Sequence, residues 1–289
     1  MTADQDAIAA GLAGGPVAAG APGGPEDAGD DGFFGPGSIT WRMNADLAAP
    51  AAGLRSLLLQ ALHPLAMPGG SLAATRAYLA TVTLGDRAAA RMAAARMRRF
   101  HEHARGRGAV AGRPGAAGDP ALLLWVHGTL VDSVLAAGSL VGTALSAADG
   151  NRYVAEMVTA AELTGVPRPL VPSSVPELDL YIASVRPRLR ATPAAAESMA
   201  GLLDPAGLDG ATARIWPDVR DVAIAALPRW ARQMYGYAAP ALTPGRRTEI
   251  RQSLGLLAAM FPGPRSVMHV APTLSWPTEP ASTPMRVSS

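Results

Sequence analysis

Four histidines, His63, His101, His103 and His127, stand on or beside segments of helical composition and are the side chains here best suited to chemistry. The chain has no cysteine and no lysine, so imidazole is its only strong neutral nitrogen donor for a metal or cofactor. The same absences exclude Schiff-base and pyridoxal chemistry, thiolate nucleophiles, disulfides and iron–sulfur clusters. Helical spacing separates the four. His101 shares a face with Ala90, Ala93, Ala94, Met97 and Ala104, an apolar and shallow surface that a flat ring system can approach closely. His103 projects to another side, among Arg96, Arg99 and Arg107. His127 lies among Leu123, Leu124, Leu130, Val131 and Val134, where a hydrogen-bonded core histidine and a ligand are both open readings. His63 precedes Pro64 at a helix end, where it is expected to cap carbonyls. His269 falls near the C-terminal tail and takes no role.

Familiar catalytic spacings are missing. His101-Glu102-His103 is not the His-Glu-x-x-His of zinc proteases. No Gly-x-Ser-x-Gly elbow, phosphate-cradling glycine loop or two-carboxylate site is evident, so a cofactor must supply any demanding chemistry.

The elements that must position these residues read as helices almost throughout. Segments near 50–62, 71–84, 86–105, 120–146, 150–164, 176–190, 193–203, 218–236 and 244–261 are rich in helix formers. Asp119-Pro120, Thr192-Pro193, Trp216-Pro217 and Thr243-Pro244 read as helix starts, and nothing alternates as a strand would. The segment Ala121 to Ala148 is long enough to span a bilayer, but His127, Asp132, Gly128 and Gly138 favour a central buried helix. The expectation is an all-α fold: a single globular helical domain over 33–270, flanked by disordered tails. Residues 1–32 form an acidic Ala/Gly/Pro tail without a basic side chain, and 271–289 a loose Pro/Ser/Thr-rich one. The first segment lacks the pattern of a secretory signal, and with the missing cysteine this gives a cytoplasmic expectation.

The net charge is +2, but it is unevenly spread. Residues 87–113 hold Arg87, Arg91, Arg96, Arg98, Arg99, Arg105, Arg107 and Arg113 against Glu102 alone. Such a stripe suits a cofactor carboxylate, an anionic membrane surface or plain solvation. A nucleic-acid partner is not expected, and the oligomeric state is left open.

Several blocks together resemble the oxygenase domain shared by latex clearing proteins (rubber oxygenases) and mpaB-type proteins, a family common in actinobacteria. They are Phe34 to Arg42, the Leu57-to-Pro64 block, Thr75, Tyr78 to Gly85, His101 with Gly106, Trp125 to Ser133, Tyr153, Glu156, Gly165-Val166-Pro167, and Leu227-Pro228 to Tyr235-Gly236. The resemblance implies an all-α fold holding one haem b, with His101 as the proximal ligand to its iron. It also implies Thr75 lining the distal pocket, and Arg98, Arg99 or Arg105 facing the haem carboxylates, while His127 is a further cofactor-side candidate. The activity implied is that of a haem-dependent oxygenase or peroxidase-like oxidoreductase acting on a hydrophobic small molecule or lipid. Departures from the pattern are also present. The segment before Ser71 is short, Ser71 replaces an arginine, Ala74 stands where rubber-cleaving enzymes place a lysine, and 47–85 contains no Asp or Glu. Two alternatives therefore stand beside oxygenation: a haem-binding member without turnover, and an all-α interaction protein that makes peripheral membrane contact.

Overall fold

The computed structural model describes residues 31–65, 72–106, 119–205, 208 and 210–260, with backbone alone at 72–77, 100–106, 211 and 257–260. Among them are eleven α-helices and no strand: α1 (Ile39–Asn44), α2 (Ala49–Gln60), α3 (Leu72–Leu84), α4 (Arg87–Gly106), α5 (Pro120–Val141), α6 (Ala147–Thr164), α7 (Val175–Val185), α8 (Pro193–Leu203), α9 (Gly210–Ala226), α10 (Arg229–Tyr235) and α11 (Pro244–Met260). The expected all-α fold in one domain is the one observed. The expected tails, 1–32 and 271–289, lie almost wholly outside the described residues.

Local chemistry explains most helix starts. The Asp119 carboxylate accepts the Ala121 N–H at 2.9 Å, with Pro120 in the first turn of α5. Thr192 caps α8 through the Ala195 N–H, and Thr243 caps α11 through the Arg246 N–H. Ser146 opens α6 by accepting the Asp149 N–H at 3.1 Å, so that helix begins three residues before the expected 150. Each side chain satisfies one of the donors that every helix leaves unpaired at its N-terminus.

Other expectations fail for reasons of packing. Pro217 does not start a helix but lies inside α9. The proline forfeits one backbone bond, but Ile215, Trp216, Val219, Val222 and Ala223 are buried along the helix, and the Trp216 indole N–H donates to the Leu203 carbonyl at 3.1 Å. Leu227-Pro228 then breaks the expected 218–236 segment, and Arg232 closes the break by donating to the Ala225 and Leu227 carbonyls. The expected 176–190 helix stops at Val185, where Pro187 admits only a short 3₁₀ turn over Arg186–Arg188. The expected 120–146 helix stops at Val141. There the Asp46 carboxylate takes both the Thr143 N–H, at 3.0 Å, and the Thr143 hydroxyl, at 2.7 Å. It also accepts the Ala48 N–H at 2.8 Å, so it ties the α1–α2 connection to the end of α5. A Cβ added at Gly142 would stand 2.0 Å from an Asp46 carboxylate oxygen.

The core is built on α2 against α5, with α9 packed on both; α1, α6, α7 and α11 also contact α5. By length and composition α5 is the one described helix able to cross a membrane, and it sits among six others as a core helix. The α3–α4 hairpin is attached differently. Its two helices pack on each other, α3 on α1 and α4 on α6. From α4, Arg87 and Arg91 stand over the Phe33 ring.

Candidate functional site

The α2–α5 interface carries the two densest sequence motifs, and its polar side chains answer one another. Arg55 is 3% exposed and reaches three partners: the Asp132 carboxylate at 2.7 Å, the Ser133 hydroxyl at 2.7 Å and the Ala226 carbonyl at 2.9 Å. Gln60 donates to the Ser56 hydroxyl at 2.7 Å, and Ser56 lies 3.4 Å from the Thr129 hydroxyl. Tyr235 ties α10 to this seam by donating to the Leu58 carbonyl at 2.7 Å. These groups hold helices together, and none is left to do chemistry.

The helices around α4 are different. Ala90 and Ala94 are fully buried and Ala93 nearly so, while Arg91, Met92, Arg96 and Arg99 are exposed. The helix runs unbroken from Arg87 to Gly106, which keeps His101 in register with Ala90, Ala94 and Met97. The side chains of His101, His103, Arg105 and Thr75 lie outside the described residues. Among the described residues, three buried hydroxyls have no hydrogen-bond partner: Thr40 Oγ1 on α1, Tyr78 Oη on α3 and Tyr153 Oη on α6. Tyr78 lies on the α3–α4 hairpin itself, and Thr40 and Tyr153 lie on α1 and α6, the helices packed against it. Burial raises the pKa of both phenols above the ordinary tyrosine value, and Glu156 adds to the effect at Tyr153. Glu156 itself accepts the Thr40 N–H at 2.8 Å. Orphaned buried polar atoms are uncommon and call for a bound ligand or water.

Arg98 is the arginine that turns inward. Its guanidinium donates to the Leu163 carbonyl at 2.6 Å, near the C-terminus of α6, and its positive charge acts on Tyr78. Its stem lies 3.7 Å from where a Cβ on Gly165 would stand, and Gly165 has the left-handed φ of +100° that lets α6 end in that turn. Arg99 is exposed.

His127, on α5, is mostly buried, and no hydrogen bond or neighbouring charge acts on it among the described residues. Burial alone pushes its pKa down to about 4, so at neutral pH it presents an uncharged imidazole. His63 departs from expectation. Among the described residues its side chain caps no carbonyl; its Nδ1 accepts the Leu65 N–H at 3.3 Å, while the Arg190 N–H donates to the Leu62 carbonyl. The ring is tilted beside Trp125 at 6.2 Å.

The structure thus brings Arg98 and Tyr78 together. Tyr78, Tyr153 and Thr40 carried no functional role in the sequence reading, although all three stand within the resembling blocks. Among the described residues no three His, Asp or Glu side chains converge as a metal cage. Residues 41–260 match the family described as ER-bound oxygenase mpaB/B'/Rubber oxygenase, catalytic domain. No curated protein and no solved structure matches the chain.

Proposed function

Since the chain belongs to the family of mpaB and rubber oxygenase catalytic domains, an oxygenase family, we propose that it is a haem b-dependent oxygenase, or a peroxidase-like oxidoreductase, acting on a hydrophobic small molecule or lipid. The family match across the core carries this reading. Haem iron asks for one strong axial ligand and an apolar surround rather than a cage of several side chains. The buried alanines of α4, the orphaned hydroxyls around it and the uncharged His127 suit such a group.

His101 would hold the iron, and Arg99 or Arg105 would meet the haem carboxylates, since Arg98 already serves the Leu163 carbonyl. When bound, haem supplies the oxygen activation that no side chain of this protein can perform. Thr75 would supply a hydroxyl on the distal side to orient the reacting oxygen species. Tyr78 keeps its proton at neutral pH and offers it as a hydrogen-bond donor in an apolar surround. A haem-binding protein without turnover is the second reading, favoured by Ala74 and Ser71 where the resemblance places lysine and arginine.

The test is an absorption spectrum of the purified protein, with variants. The wild type is expected to show a Soret band; His101→Ala loses it with far-UV circular dichroism unchanged, and His103→Ala keeps it. A full band in His101→Ala would overturn the assignment. At matched haem content, Thr75→Val is expected to lower oxygen or peroxide turnover; an undetectable rate in the wild type would select the second reading.

A further inference from the structure

We propose that the cleft between the turn at residues 62–65 and the segment 187–190 is a binding site for an amphipathic oxyanion, a carboxylate or phosphate head on an apolar tail. The site lies on the α2 and α7 ends of the fold and does not depend on the haem reading. Its cavity measures about 730 Å³, within the range of small-molecule pockets. Pro64, Leu65, Pro187 and Leu189 give it apolar walls, and His63, Arg188 and Arg190 give it polar ones.

The cleft is preformed. The Arg190 N–H donates to the Leu62 carbonyl at 2.8 Å and clamps its two sides together. A proline stiffens each side, which reduces the ordering cost of binding. Neither Arg188 nor Arg190 makes an ion pair or a side-chain hydrogen bond among the described residues. Arg186 next to them is engaged differently, over the Trp230 ring at 5.6 Å. Two free guanidinium groups match the fork geometry of a carboxylate or phosphate. His63 adds a donor, because its Nδ1 accepts the Leu65 N–H and the neutral ring therefore carries its proton on Nε2. Among the described residues Asp119 is the acidic side chain whose charge acts on His63, and it opposes the effect of Arg188. Cationic and apolar walls in one cavity select a ligand that has both parts.

The test is isothermal titration of the full chain with decanoate, decyl phosphate, decanol, acetate and inorganic phosphate. Decanoate or decyl phosphate is expected to bind at least tenfold more tightly than decanol, acetate and phosphate, and the stronger of the two identifies the head. The double variant Arg188→Gln, Arg190→Gln should lose at least tenfold of that affinity. Arg96→Gln, Arg214→Gln, which removes equal charge from exposed helix positions, should keep it. Decanol binding as tightly as the anions would overturn the proposal. So would equal losses in the two double variants, or unchanged affinity in the first.

Discussion

At the α2–α5 seam the buried polar groups partner one another, whereas three hydroxyls on α1, α3 and α6 are buried without a partner among the described residues. An unmade buried hydrogen bond costs about 1–3 kcal/mol, so the second region carries a strain that the first does not. A satisfied network specifies how helices meet. The seam contains the densest motifs in the sequence and is structural; on the α3–α4 side, which the sequence marked through His101 and its arginines, the described residues leave hydroxyls without partners.

Breaking the seam should have the largest effect. Asp132→Ala leaves the Arg55 guanidinium buried with its charge uncompensated, and loss of one partner of such a pair costs about 3–5 kcal/mol. Since Asp132 is 23% exposed, the lower end is expected, read as a shift of the urea midpoint. A change below about 1 kcal/mol would show that solvent already screens the pair and that the seam is not special.

His127 gives an intermediate effect with a definite pH window. Its folded pKa of about 4 lies below the unfolded value near 6.5, so the unfolded chain binds the extra proton first. The stability is fully present above pH 6.5 and is lost as pH falls toward 4, by about 2–3 kcal/mol. Urea unfolding at pH 7 and pH 4.5 measures it, and His127→Gln should reduce the difference. An equal difference in the variant would assign the acid sensitivity to other groups.

The smallest effect is the most direct contrast. Tyr235→Phe removes a hydroxyl that donates to the Leu58 carbonyl and should cost about 1 kcal/mol. Tyr78→Phe removes one that donates to no described residue and should leave the stability of the haem-free protein unchanged or slightly raised. If Tyr78→Phe is the costlier of the two, the contrast between the regions fails.

The all-α class, the helix starts at Asp119-Pro120, Thr192-Pro193 and Thr243-Pro244, and the buried alanine face of α4 were legible because each depends on residues within one or two turns. The interior position of Pro217, the early end of α5 and the short α1 were not. They depend on Trp216 meeting Leu203, on Asp46 meeting Thr143, and on Thr40 meeting Glu156. The same distinction applies at the candidate site. The spacing of α4 picked out His101 and its alanines, but the Leu163 partner of Arg98 lies 65 residues away in the chain. The orphaned hydroxyls exist only once α1, α3 and α6 are assembled.

The Asp46–Gly142 contact constrains how this sequence can drift. Any side chain at 142 would place its first carbon 2.0 Å from the carboxylate that holds Thr143. A substitution there is tolerated only after residue 46 has shrunk. Shrinking residue 46 first gives up the acceptor for Ala48 and Thr143. Each single step is penalised and the double change is cheaper than the sum, so the two positions should be inherited as a pair.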